Sequence, residues 1–168
     1  MVAGFKTMKT LLVLIFFSSS FFSLGNFTNP KDTLKADSLI SFCKKHLGIK
    51  YKYAHCDPKT GFDCSGFVFY VFSHFNIKVP RASMDYEKSG QLISMDSCKK
   101  GDVIVFTGTN IKNRAPGHVG IIISEQGEPV KFIHSSSGKN CGVIITNFTE
   151  SLYYQKRFIK IARIAAVL

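Results

Sequence analysis

Five short segments crowd the second half of the chain: DVIVFT (102–107), HVGIIIS (118–124), VKFIHS (130–135), GVIITNF (142–148) and FIKIARI (158–164). Each is rich in β-branched residues and is parted from the next by turn formers such as KKGD and EQGE, which is the signature of strands joined at short range. The first half reads differently. Residues 32–47 place Leu39, Ile40, Cys43 and Leu47 at helical spacing, with Asp32 as a cap and Gly48 as a stop. Residues 65–75 repeat the pattern through positions 67, 68, 71, 72 and 75 ahead of Asn76, and residues 83–89 suit a short helix closed by Gly90. Helices followed by closely spaced strands predict an α+β domain, its N-terminal helices packed on a mostly antiparallel sheet of five to six strands.

With 168 residues, 45% of them apolar and 16 of them Phe, the chain is sized for one domain with a substantial core. Residues 1–25 read as a signal peptide: Lys6 and Lys9 are followed by the apolar LLVLIFF and then by small residues, so the mature domain spans 26–168. MKTLLVLIFF, starting at Met8, is itself a complete signal opening. Ser18, Ser19 and Ser20 interrupt the apolar run short of the roughly 20 residues that a membrane-spanning helix needs. The expected location is therefore periplasmic or extracellular, with no stable membrane span after cleavage. No cysteine precedes Cys43, which leaves no site for a lipoprotein lipid.

The formal charge is +11, and removing the two signal lysines leaves +9. That favours an anionic wall polymer or membrane surface as partner. The basic residues are scattered and the chain is exported, so nucleic acid is not expected. Five cysteines (Cys43, Cys56, Cys64, Cys98, Cys141) leave one unpaired under any pairing. The other four form two disulfides or stay as free buried thiols, and a domain of this size favours thiols. With no CxxC pair and no ligand spacing among His and Cys, neither metal nor cofactor is expected.

Cys64 falls where the turn-rich loop 49–61 ends and a buried helix begins. A helix N-terminus favours an anion and lowers a thiol's pKa towards the nucleophilic thiolate, so a thiol there is a candidate nucleophile. His118 opens one strand and His134 lies on the next, with a turn near Gln126 and Gly127 between them. A hairpin closed there brings the two histidines together, supplying a thiol, a base and a group to orient that base. His46, His55 and His74 have no such context.

The successive stretches GFDCSGFVFYVF (61–72), IKVPR (77–81), KKGDVIVF (99–106), GHVGIII (117–123) and FIH (132–134) resemble the motifs of NlpC/P60 cysteine peptidases, in order, over about residues 36–165. The resemblance implies a papain-like α+β fold in which Cys64 is the nucleophile, His118 the base and His134 its orienting partner. It also implies hydrolysis of amide bonds in peptidoglycan stem peptides, often between D-γ-glutamyl and a diamino acid. In members that need a free N-terminal L-alanine, the matching positions here are Tyr51, Asp63 and Ser65, which would clamp the amine; Asp63 equally suits the role of helix cap. Arg81 matches a recurring arginine that either touches substrate or makes a structural hydrogen bond. The Cys64 amide would be the oxyanion donor.

Where the family often has Tyr-x-Trp/Tyr-Gly-Gly, this chain reads Tyr51-Lys52-Tyr53-Ala54-His55-Cys56, keeping both aromatics but losing the glycines. No additional wall-binding domain is apparent, so targeting would rest on positive charge. An N-acetylmuramoyl-L-alanine amidase, an acyl transferase on the same scaffold and a non-catalytic wall-binding module are the alternative readings.

Overall fold

The computed structural model describes residue 1, residues 30–138 and residues 142–164, with residues 30–34 as backbone alone. The signal stretch beyond Met1 and Cys141 lie outside the described residues. Helix α1 (Pro30–Lys44) buries Ala36, Leu39, Ile40 and Cys43 along one stripe. It starts before Asp32, which is therefore not its cap, and it stops at Lys44. Leu47, expected on the buried face, is 46% exposed because residues 45–48 leave the helix through turns that end at Gly48, whose φ is +82°.

The loop expected between the first two helices carries a small hairpin, β1 (Cys56–Asp57) paired with β2 (Gly61–Phe62). The Phe62 N–H donates to Lys50 O and the Lys52 N–H to Phe62 O, so the segment around Tyr51 is tied to β2. Helix α2 (Cys64–His74) follows at once. Phe67, Val68, Val71 and Phe72 on it are all fully buried, and each such side chain contributes about 1.5–3 kcal/mol. Asn76, at φ +56°, ends the run in the left-handed conformation, and the Ile77 N–H returns to Phe72 O. The short helix expected over residues 83–89 is a 3-10 helix, Ser83–Glu87.

The main sheet has six strands in the order β3 (Gln91–Ile93), β8 (Phe158–Arg163), β4 (Val103–Thr107), β5 (Pro116–Ile122), β6 (Lys131–Ser136), β7 (Gly142–Asn147), and every neighbouring pair is antiparallel. The expected α+β architecture is what the chain forms. Side chains alternate across β4: Val103 and Val105 join the α1–α2 side of the core, while Ile104 and Phe106 join a second cluster with Phe132 and Tyr154. The second cluster is covered by helix α3 (Leu152–Arg157), which the sequence reading did not anticipate, as it did not anticipate β3. Burial on both faces explains why VIVF reads as a continuous apolar run. At the far end, Arg163 holds Asp102 with two 2.8 Å bonds and joins β8 to the start of β4. Cys43, Cys56, Cys64 and Cys98 are free thiols, with Cys56 half-buried and the others buried. Among the described residues no helix is long and apolar enough to cross a membrane, and no His, Cys, Asp and Glu cluster could hold a metal ion.

Candidate active site

Cys64 is the first residue of α2, and Asp63 is its N-cap, accepting from the Gly66 N–H at 2.6 Å. The first-turn amides of a helix have no intrahelical acceptor, so the Cys64 N–H stands at a point where a local anion is favoured. Gly66 is required by packing, because a Cβ there would lie 2.2 Å from His55 O. Cys64 lines a cleft of about 530 Å³ together with Tyr51, Asp63, Ser65, Arg81 and Met84. All four residues matched to substrate contacts therefore share one cleft with the candidate nucleophile.

Helix position alone suggested a lowered thiol pKa. Burial outweighs it: desolvation pushes the Cys64 thiol above its ordinary range, opposed by the Val119 backbone N–H, and the Asp63 charge pushes it further up. The resting sulfur is thus a thiol that needs a base. His118, the residue before Val119, is buried, and burial, followed by the repulsion that His134 exerts when protonated and by the charge of Arg157, holds its pKa well below the ordinary value. It is neutral and able to accept a proton.

The strand register brings the histidines together as the hairpin reading expected. Ile121 faces Ile133 across β5 and β6, which sets His118 Nε2 2.9 Å from His134 Nδ1. His134 Nε2 lies 3.0 Å from Thr146 Oγ1 on β7. Burial, then the charge of Arg157, lowers the His134 pKa to about 3, so this ring is neutral too. Two neutral rings hold one N–H each. If His118 Nε2–H donates to His134 Nδ1, then His134 Nε2–H donates to Thr146 and His118 Nδ1 keeps a lone pair. The reverse arrangement puts the proton on His118 Nδ1 and abolishes the base; the Thr146 hydroxyl accepts from His134 in the first arrangement and donates to it in the second, and proton transfer from the thiol uses the first.

Asp63 holds three partners at once. Besides capping α2, it takes two bonds from Arg81, Nη1 to Oδ1 at 3.0 Å and Nη2 to Oδ2 at 2.8 Å, while Ser65 Oγ donates to Oδ1 at 3.1 Å. Arg81 thus makes the structural hydrogen bond that was one of its two expected roles. Ala54, the position at which the family pattern has its first glycine, adopts φ +60°. The backbone there keeps a glycine-like conformation without the glycine. His46 and His74 pack on Phe42, away from the cleft, and His55 bonds the neighbouring Tyr53 O.

Three residues near the histidines were missed. Thr146 is fixed by a strand register that no local pattern encodes. Tyr154 stacks on His118 with ring centroids 5.8 Å apart. Arg157, in the sequence one of the scattered basic residues, is buried and donates to Thr107 O and Gly108 O. The one signal for both was the helical i, i+3 spacing of Tyr154 and Arg157 before the last strand.

The family model "NlpC/P60 family" matches residues 48–163. The chain is similar to the gamma-DL-glutamyl hydrolase of Bacillus subtilis, 36% identical over 131 residues, which cover 78% of this chain and 30% of that protein. It is also similar to the murein DD-endopeptidase MepS/murein LD-carboxypeptidase of Escherichia coli, 30% identical over 118 residues, covering 70% of this chain and 56% of the relative. Among solved structures, an NlpC/P60 family protein from Bacillus cereus superposes with a TM-score of 0.67 at 29% identity, covering 77% of this chain and 40% of that one. The chain thus spans between 30% and 56% of the length of these three proteins.

Proposed function

The chain belongs to the NlpC/P60 family, and on that premise we propose that it is an exported cysteine peptidase that hydrolyses peptidoglycan stem peptides at the bond between D-γ-glutamyl and a diamino acid. Residues 1–25 are its signal peptide and residues 26–168 its catalytic domain, working in the periplasm or outside the cell. The observation that supports this reading is that Cys64 heads α2, which packs on β5, the strand of His118, whose Nε2 is already occupied by His134. The names of the relatives, a gamma-DL-glutamyl hydrolase and a murein endopeptidase, supply the substrate class.

In the first step His118 Nδ1 takes the thiol proton and Sγ attacks the scissile carbonyl, whose oxygen becomes an oxyanion facing the Cys64 N–H. The C–N bond then breaks, and the His118 imidazolium returns the proton to the leaving amine. A water molecule, deprotonated by His118, attacks the thioester and releases the γ-glutamyl acid with the thiol restored. Tyr51, Asp63 and Ser65 hold the free N-terminal amine of the substrate, which shares the Asp63 carboxylate with Arg81.

Incubation of the purified protein with muropeptides under reducing conditions is expected to release peptide fragments ending in D-γ-glutamate, read by mass spectrometry. No cleavage by the wild type, or undiminished cleavage by Cys64→Ala, would overturn the proposal.

A further inference from the structure

Among the described residues, one buried side-chain oxygen or nitrogen has no hydrogen-bond partner: the Tyr86 hydroxyl. Tyr86 is 0% exposed and belongs to the core cluster that contains Cys64 and Val119. It projects from the 3-10 helix Ser83–Glu87, which packs against β5, the strand of His118 and Val119. Folds keep few buried hydroxyls unpaired, since desolvation without a partner is costly. The exceptions call for a reason.

The surroundings of the hydroxyl narrow that reason. Burial raises the Tyr86 pKa, a charge on Cys64 raises it further and Arg81 lowers it, so the phenol keeps its proton and lies within the field of both groups. Ala82, Ser83 and Met84 on the same segment line the cleft, and Tyr86 does not. With no exposed surface it has no route to the substrate. What it can meet is the buried side of the nucleophile. A neutral thiol is a weak acceptor, whereas a thiolate is a strong one.

We propose that Tyr86 is a positioning residue whose hydroxyl donates a hydrogen bond to Cys64 Sγ when the sulfur carries negative charge, from the buried side of the nucleophile. The thiol proton still goes to His118, and Tyr86 keeps its own. The bond is absent at rest and present in the reactive state, so it favours reaction without stabilising the resting fold. Asp63, whose charge disfavours the thiolate, and Arg81 are the other charged groups beside the site. The inference rests on Cys64 as the nucleophile of the proposed function but not on the identity of the substrate.

Tyr86→Phe removes the hydroxyl and keeps the ring. The test is the rate at which iodoacetamide alkylates Cys64 at about pH 8, read by peptide mapping so that the other cysteines are counted separately. The variant is expected to react at least about tenfold more slowly, the scale of a hydrogen bond to a charged group, with Tm unchanged or raised. An unchanged alkylation rate would overturn the proposal. So would a fall in Tm or failure to fold, because the hydroxyl would then have a structural partner, and so would a wild-type Cys64 that does not react at all. Alkylation needs no peptide substrate, so failure of muropeptide cleavage would sink the proposed function while leaving this measurement to decide the role of Tyr86.

Discussion

His118 and His134 meet nearly at right angles, with ring planes 89° apart and Nε2 of the first 2.9 Å from Nδ1 of the second. The contact consumes one nitrogen of each ring, and Thr146 takes up the far nitrogen of His134. The two hydrogen bonds keep one direction or reverse together, since each neutral ring carries one N–H, and the Thr146 hydroxyl accepts in the first case and donates in the second.

Thr146→Val tests that dependence. The change keeps the shape and leaves the His134 N–H without an acceptor, which costs about 1–3 kcal/mol of stability. It also populates the arrangement in which His118 Nδ1 carries the proton. The expected result is a kcat lowered roughly tenfold with KM unchanged, recovered by Thr146→Ser. Equal kcat for the valine variant would mean that the tautomer is set elsewhere.

Acid stability follows from His134. Its folded pKa, about 3, lies below the unfolded value of 6.5, so below 6.5 the unfolded chain binds the proton that the folded chain refuses. The stability contributed by the neutral ring is full above pH 6.5 and is lost as pH falls towards 3. Thermal melts over this window are expected to show a steep fall in Tm for the wild type and a shallower one for His134→Gln. Parallel curves for the two proteins would exclude His134 as the source. For the same reason the acid limb of kcat/KM, governed by His118, is expected below pH 6.5.

Much of the sheet was legible because each central strand is a β-branched run bounded by turn residues. All five expected strands lie within two residues of their observed ends. The helix carrying Cys64 was legible from its 3.6-residue apolar stripe. What could not be read is what depends on register and on contacts distant in sequence. The Thr146 hydroxyl reaches His134 because Phe132 faces Thr146 and His134 faces Ile144 across β6 and β7. Arg157 looks like any basic residue until Thr107 O and Gly108 O, 50 and 49 residues away, are brought to it. The thiol pKa was misjudged because a sequence shows a helix start but not how deeply the sulfur is buried.

Asp63→Asn separates capping from charge. Asn caps a helix as well as Asp does, so the cap survives while the change removes the charge and an acceptor for Arg81 from a side chain that is 10% exposed. Stability is expected to fall by about 1–3 kcal/mol. Cleavage of peptides with a free N-terminal amine is expected to fall by roughly tenfold or more in kcat/KM, while peptides with an acetylated amine lose nothing. An equal loss for both substrates would assign Asp63 to structure alone.

Ala54 offers the reverse kind of test, since it occupies a backbone conformation that its side chain disfavours. At φ +60° an L-residue costs roughly 1–2 kcal/mol relative to glycine, and part of that is offset because alanine loses less entropy on folding, by roughly 0.5–1 kcal/mol. Ala54→Gly is expected to raise the urea midpoint by the equivalent of about 0.5–1 kcal/mol with an unchanged m-value. Only a methyl at the cleft rim is removed, so kcat/KM should move little. The adjacent turn is held from both sides, by the Asp63 N–H on His55 O and by His55 Nδ1 at 2.8 Å from Tyr53 O, which leaves Ala54 no neighbouring conformation to relax into. A lowered midpoint would show instead that the alanine stiffens the unfolded chain more than it strains the folded one.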